Sequence, residues 1–404
     1  MVAVAAGGLI SVEAARAAVL EGLRPLPAEL VALSAGWGRV LARDVVARRT
    51  SPPDDVSAMD GYALRAADGA AGAVLRVVGE APAGHPWAGV VGSGEAVRLF
   101  TGSVVPEGAD TVVLQEDCTR EGESVRLDEA ARPARHIRRA GQDFAAGDVV
   151  LRAGRRLGAR DVGLAAAADH PWLAVHRRPR VAILATGDEI SMPGEPVGPG
   201  GIVSSNSHAI AALVRAAGGE PVLLPVARDD RAALEAAADS VAGHDLLVTT
   251  GGASVGDHDL VHAALTARGM RTGFWRVAMR PGKPLMSGRL GDVAVLGLPG
   301  NPVSSLVCSV LFLLPALRVL LGGEAGGPPV ARARLGVAVR ANDHRADHLR
   351  ATLDDGVVTP FAVQDSSMLA ALARADCLLL RAPHAPALEA GAEVSVIRLD
   401  GLGL

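Results

Sequence analysis

Between Ser11 and Leu23 (SVEAARAAVLEGL), Val12, Ala15, Val19 and Leu23 recur at helical spacing, Ser11 stands in the cap position, and Pro25 and Pro27 follow. That pattern predicts an amphipathic helix. From about Val45 to Asp143 the period shortens. VLRVVG, EAVRLFTG, ADTVVLQED and ESVRLD are β-like runs separated by glycine and proline, which predicts a compact β domain. Helix-forming sequence returns from Ala145 to Leu164. From Pro179 to Leu321 the rhythm changes again. The apolar runs RVAILATGDE, PVLLPVARDD, DLLVTTGGASVG and VAVLGLPGNP alternate with the alanine-rich segments SHAIAALVRAAGG, RAALEAAADSVAG and DLVHAALTARG. Uninterrupted apolar strands alternating with helices predict a parallel sheet covered on both faces.

Leu306–Leu317 is the most apolar segment; it is too short to span a bilayer, contains Pro315 and reads as a buried helix. GGEAGGPP (Gly322–Pro329) reads as a linker, and RLGVAVR, CLLLRA and EVSVIRL beyond it predict a small β domain. The expected organisation is therefore an α/β multidomain chain of four parts. Residues 1–44 and 145–178 form a helical linking domain, 45–144 an inserted β-rich domain, 179–326 the α/β domain and 327–404 the C-terminal β domain. A length of 404 residues suits several domains.

Bulk properties mostly exclude. A net charge of −4 provides no global field for nucleic acid or an anionic membrane. The basic runs Arg132–Arg139 and Arg177–Arg180 read as solvated faces. Cys118, Cys308 and Cys377 are too far apart for a CxxC pair, a zinc spacing or a disulfide framework, as expected of reduced thiols in a cytoplasmic protein.

Candidate chemistry gathers at three strand ends, where ligands of wound sheets bind. These are Thr186-Gly187-Asp188-Glu189, then Thr250 to Asp257 with Gly251, Gly252, Ser254 and Gly256, then Pro299-Gly300-Asn301-Pro302. Their glycines permit close backbone approach, and amides at the following helix starts favour oxyanions. Asn301 is expected to cap the last helix, with Pro302 at its first position. None of the three is a Walker or dinucleotide fingerprint. In RPGKP a Pro-Gly turn separates Arg280 from Lys283, so both cations are placed to face one anion. Glu189, Asp229, Asp257 and Asp259 suit a hard divalent cation bridging to phosphate, while Asp230 doubles as a helix cap. No Ser–His–Asp or Cys–His arrangement is legible, and His258 is placed at a helix start. The stretch SPPDDVSAMDGYAL (Ser51–Leu64) has two readings, a solvated turn or a loop shaped to present Asp60.

SAMDGYA, RLFTG with Thr101, GQD ending at Asp143, ATGDE, TTGGASVGDHD, RPGKP and LPGNPVSS occur in this order along nearly the whole chain. Together they resemble the bacterial molybdenum insertases, the family of gephyrin's C-terminal region. The resemblance implies an α/β domain similar to molybdopterin adenylyltransferase and a homodimer whose cleft is shared between subunits. It implies insertion of molybdenum from molybdate into adenylylated molybdopterin, with release of AMP and help from Mg²⁺. It also implies a cytoplasmic enzyme that binds neither nucleic acid nor membrane. Carried over by motif, the catalytic positions are Asp60, Thr101, Asp143, Glu189 and Lys283. Thr186, Gly187, Asp188, the TTGGASVG glycines with Ser254, Arg280, the Pro299–Pro302 turn, Ser366 and Ser367 would bind substrate. Glu189, Asp229, Asp257 and Asp259 would bind metal. Two departures stand out: Asp54, Asp55 and Val56 occupy the place of the family's aromatic-Asp-Asn, and Arg280 stands where lysine is frequent. An adenylyltransferase and a non-catalytic pterin-binding scaffold are the alternatives.

Overall fold

The computed structural model describes residues 9–251 and 260–404, which form two compact units. In the first (residues 9–29, 38–42 and 175–404), the N-terminal helix α1 (Val12–Leu20) begins at Ser11, whose hydroxyl accepts from the Ala14 amide at 3.1 Å. Val12, Ala15 and Val19 turn inward and join the main apolar core of this unit.

The second unit comprises residues 30–37 and 43–174. It holds a six-stranded sheet of β1 (Gly61–Leu64), β2 (Val74–Ala81), β3 (Glu95–Leu99), β4 (Thr111–Leu114), β5 (Cys118–Glu121) and β6 (Ser124–Leu127), in the order β4-β1-β3-β2-β6-β5. Only β2 and β3 run parallel; the other neighbours are antiparallel. The helix read over Ala145–Leu164 is shorter and later, α2 (Ala159–Ala167). The segment before it forms a short strand at Val149–Leu151, since consecutive β-branched residues favour extended backbone.

The α/β domain is built on β7 (Arg180–Ala185), α3 (Asn206–Ala217), β8 (Glu220–Leu223), α4 (Arg231–Asp239), β9 (Leu246–Thr250), α5 (Leu260–Ala267), β10 (Arg271–Arg276), β11 (Met279–Arg280), β12 (Pro284–Leu290) and β13 (Val293–Leu298). Its sheet order is β8-β7-β9-β13-β12-β10. The apolar runs owe their continuity to burial on both sides. Along β7, Val181 and Ile183 enter the core shared with α1 and α3, while Ala182 and Leu184 enter the core under α4 and α5.

The expected parallel sheet is present at the centre and carries an antiparallel edge. The strands β8, β7, β9 and β13 are parallel, but β12 and β10 complete the sheet antiparallel. Leu290 and Val293 are joined by Gly291-Asp292 alone, and a two-residue connection makes only a hairpin. The apolar helix also runs further than expected, from Pro302 to Leu320, as α6 (Pro302–Cys308), a π turn at Ser309–Leu313 and α7 (Leu314–Leu320). Its length and composition would suit a membrane, yet 89% of it is buried inside the protein.

Beyond it, β14 (Ala331–Leu335), β15 (Ala346–Asp354), β16 (Val357–Pro360), β17 (Cys377–Arg381) and β18 (Glu393–Arg398) pair in the order β15-β16-β14-β18-β17. Since β17 pairs back onto β15, the sheet closes into a small barrel. The two-residue strand β11 lies parallel to β15 and ties this barrel to the α/β domain.

Candidate active site

The strands β7, β9 and β13 are parallel neighbours, so the loops following them emerge side by side. The Thr186 amide donates to Thr250 O at 3.1 Å. Gly251 has φ +92°, and a Cβ there would fall 2.5 Å from Thr186 O, so only glycine fits. Asn206, at the start of α3, donates to Thr250 Oγ1 at 2.8 Å and to Gly300 O at 2.6 Å. One amide thus fastens the second loop to the third. Among the described residues, the buried Thr186 hydroxyl has no hydrogen-bond partner. Sequence reading missed Asn206; its signal was a polar residue opening an apolar helix directly after two serines.

Asn301 lies at the cap position before Pro302, but its side chain makes no cap bond. The amide of Val303 is instead taken by Ser366 O at 3.1 Å, which corrects the expectation that Asn301 caps this helix. The loop bearing Ser366 and Ser367 is internally fixed. Asp365 Oδ1 accepts from the Ser367 amide at 2.8 Å and its hydroxyl at 2.6 Å. Those bonds hold the Asp365 carboxyl below its ordinary range. Beneath the loop, fully buried Arg350 donates to Gln364 Oε1, Met368 O and Val363 O. Arg350 was also missed, because arginine in a strand reads as an exposed position.

The carboxylates cluster after β7. Asp188 Oδ1 accepts from the Asp229 amide at 3.2 Å, and Glu189 folds back over Gly187, whose φ is +138°. Partial burial, then the charges of Asp188 and Glu189, raise the Asp229 carboxyl. Asp230 is spent on its other role, accepting from the Ala233 amide at 2.9 Å to cap α4. Among the described residues no three His, Cys, Asp or Glu side chains assemble as a cation site. Gly252, Ser254, Gly256, Asp257, His258 and Asp259 lie outside the described residues.

Arg280, which spacing placed to face one anion with Lys283, has a carboxylate partner of its own. Arg280 forks onto Asp347, with Nε–Oδ1 at 2.9 Å and Nη2–Oδ2 at 2.6 Å, and its Nη1 stands 3.6 Å from Asp343. A planar guanidinium beside a carboxylate forms this pair in preference to a distant shared anion. Lys283 is exposed, and no ion pair is found for it among the described residues. It is also the only lysine among 40 lysines and arginines, a signal the sequence offered and motif spacing overlooked. Pairing of Met286 with Gly297 runs β12 antiparallel to β13, so Pro284 starts beside the end of β13. Lys283 therefore stands at the same sheet edge as Pro299 and Gly300. Nearby, a cavity of about 590 Å³ is lined by Arg280, Asn342, Asp347, Phe361 and Arg381.

In the other unit, Asp60 Oδ1 accepts from the Thr101 amide at 2.7 Å and the Thr101 hydroxyl at 2.9 Å. These two bonds hold the Asp60 carboxyl below its ordinary value. Gly61 is required beside it, since a Cβ would lie 2.0 Å from Val113 O. Tyr62 is core, with Arg98 stacked over its ring at 5.2 Å and over Phe100 at 4.9 Å. Asp143 is exposed, its amide bonded to Ser51 O at 3.0 Å. Asp55 accepts from the Ala140 amide at 2.9 Å and pairs with Arg139, while Val56 is buried in a strand pairing with Ile137–Arg138. The two departures of this loop are thus structural fillings.

Three family models match the chain: the MoeA N-terminal region (domains I and II) over 10–168, a probable molybdopterin binding domain over 182–319, and the MoeA C-terminal region (domain IV) over 332–399. The molybdopterin molybdenumtransferase of Nostoc is 40% identical over 78% of this chain and 73% of its own length. Molybdopterin molybdenumtransferase 2 of Mycobacterium tuberculosis is 37% identical over 91% of this chain and 94% of its own. A solved MoeA protein of Pyrococcus horikoshii, 31% identical, superposes with a TM-score of 0.85 over 97% of this chain and 99% of its own. With nearly every residue covered and the same domain order, this chain belongs to the MoeA family and is a transferase of molybdenum cofactor biosynthesis.

Proposed function

We propose that this protein inserts molybdenum from molybdate into adenylylated molybdopterin, hydrolysing the phosphoanhydride and releasing AMP and molybdenum cofactor. The observation that carries the reading is one sheet edge holding Lys283, the Thr186 and Gly251 turns, and the Pro299–Pro302 turn. A lone ammonium beside close-approaching backbone suits a ligand rich in oxyanions. Molybdate, the diphosphate and the dithiolene are all anionic, and Lys283 attracts them by Coulomb force and hydrogen bonding. Thr186, Gly187 and Gly251 let the backbone line the nucleotide part, and Ser366 and Ser367 flank the start of α6. No side chain forms a covalent bond to substrate in this scheme.

The donor set also fits Mg²⁺. Asp188, Glu189 and Asp229 carry hard oxygens; burial first, and then the charges of Asp188 and Glu189, raise Asp229, and a divalent cation would offset that repulsion. Magnesium needs no protein cage, since it accepts one or two carboxylates together with substrate phosphates. Glu189 and Asp229, with Asp257 and Asp259, would hold it. Bound there, the ion supplies charge stabilisation for the departing AMP.

Asp60 reaches this ligand from a second copy of the chain in our reading, with Thr101 keeping its carboxylate ionised and aimed, and Asp143 nearby as a further acceptor. Trp37 and Leu30, each 72% exposed, and Trp172, 58% exposed, provide the apolar surface that a homodimer would cover. The test is a single-turnover reaction with adenylylated molybdopterin, molybdate and Mg²⁺. Equal amounts of AMP and molybdenum cofactor are expected, with Glu189→Ala lowering the rate at least 100-fold. Formation of adenylylated molybdopterin from ATP, without metal insertion, would establish the adenylyltransferase alternative instead.

A further inference from the structure

The segment from Arg276 to Lys283 leaves the sheet between β10 and β12 and is gripped from both sides. On one side, the Ala278 amide donates to Ile10 O at 2.7 Å, and the Ile10 amide to Arg276 O at 3.3 Å. On the other, Met279 and Arg280 pair in parallel with Ala346 and Asp347 of β15. One side chain of β15 then closes on Arg280: Asp347, 6% exposed, takes the guanidinium at two points.

The chain from Arg280 to Lys283 has no slack to absorb a displacement. Pro281 has a ring-fixed φ. Gly282, at φ +107°, is wedged so that a Cβ would meet Cys308 Sγ at 2.5 Å and Met279 Cε at 3.1 Å. Lys283 O accepts from the Val277 amide at 3.0 Å. Any shift of Arg280 must therefore move Lys283.

We infer that Asp347 is a positioning residue that sets the place of the Lys283 ammonium, so that the C-terminal barrel acts on the reaction through the RPGKP loop. The inference deepens the function proposed above and rests on it for the role of Lys283. Composition supports the division of labour. The chain has 39 arginines and one lysine, the total of 40 cations less Lys283. Arginine stands where a fork is used, on Asp347. At the other end of the loop Lys283 is exposed, and no ion pair is found for it among the described residues. A fork locked onto a buried carboxylate is a strut rather than a mobile anion ligand.

The single lysine also provides the test. Reductive methylation with ¹³C-formaldehyde labels Lys283 and the chain's N-terminal amine only, which gives an NMR signal reporting the Lys283 surroundings without reference to activity. In the full-length protein, Asp347→Asn is expected to shift and broaden the Lys283 resonance. In the unlabelled variant kcat should fall at least tenfold while KM changes less than threefold. Arg332→Gln, in an exposed pair elsewhere on the barrel, should leave the resonance in place. Should Asp347→Asn fail to fold, Arg280→Gln serves instead, since a neutral amide cannot make the charged two-point contact and adds no second amine to be labelled. An unmoved resonance in the folded variants overturns the clamp. A moved resonance with unchanged kcat upholds the clamp and overturns the working role of Lys283.

Discussion

Asp60 shows how much of the site's chemistry is decided by one neighbour. Its carboxyl is held low first by the Thr101 amide and then by the Thr101 hydroxyl. Thr101→Val removes the second bond and keeps the first, so the Asp60 carboxyl should rise towards its ordinary value. If Asp60 works ionised, the acid limb of the kcat/KM profile moves to higher pH; a profile superimposable on the parent's would detach Asp60 from the rate. His348 gives a stability signature instead. Burial brings its ring from the ordinary 6.5 down to about 4. The folded state keeps the ring neutral while the unfolded chain binds a proton as pH falls through 6.5, so stability is lost on acidification between about 6.5 and 4. At about 1.4 kcal/mol per unit the loss approaches 3 kcal/mol. Urea unfolding at pH 7 and pH 4.5 should show most of it, and His348→Gln should flatten the difference. The sequence exposed Asp60 and Lys283 through their motifs. It hid Asp347 and His348, because two buried polar side chains inside HRADHLR look like a solvated strand until the barrel is closed.

At the level of elements, periodicity was informative wherever both faces of a strand are buried. RVAILA, LLVTT and VAVLGL are apolar at every position or nearly so, and they form the parallel centre of the α/β sheet. The antiparallel edge was not legible from its strands. In PLMSGRL and RTGFWR, glycine, serine and arginine interrupt the apolar pattern, since an edge strand needs less cover. Only the Gly291-Asp292 turn announced the hairpin. The loop carrying Ser366 and Ser367 depends on Arg350, a contact that no local pattern encodes. Replacing Arg350 with Met removes the side-chain donor to Met368 O and Val363 O, while the Arg350 amide still serves Gln364 Oε1, at a cost of about 1–3 kcal/mol. Limited proteolysis should then cut between residues 361 and 368 well before the barrel melts. Undisturbed proteolysis would mean that the Asp365 and Ser366 bonds suffice.

For the molecule as a whole, the three family models that match in order along the chain fix the family, while assembly is the proposal that unites Asp60 with Glu189 and Lys283. It can be tested by complementation. An Asp60→Ala chain lacks the acceptor that it would lend to its partner, and a Glu189→Ala chain lacks the carboxylate at its own sheet edge. Each homodimer should be inactive. In a heterodimer of the two, one cleft collects both defects and the other collects neither. The decisive measurement is AMP release from adenylylated molybdopterin and molybdate by a heterodimer purified with two different affinity tags. Recovery of about half the parental rate per dimer is the expected result, and a rate no higher than that of either mutant homodimer would contradict the shared site.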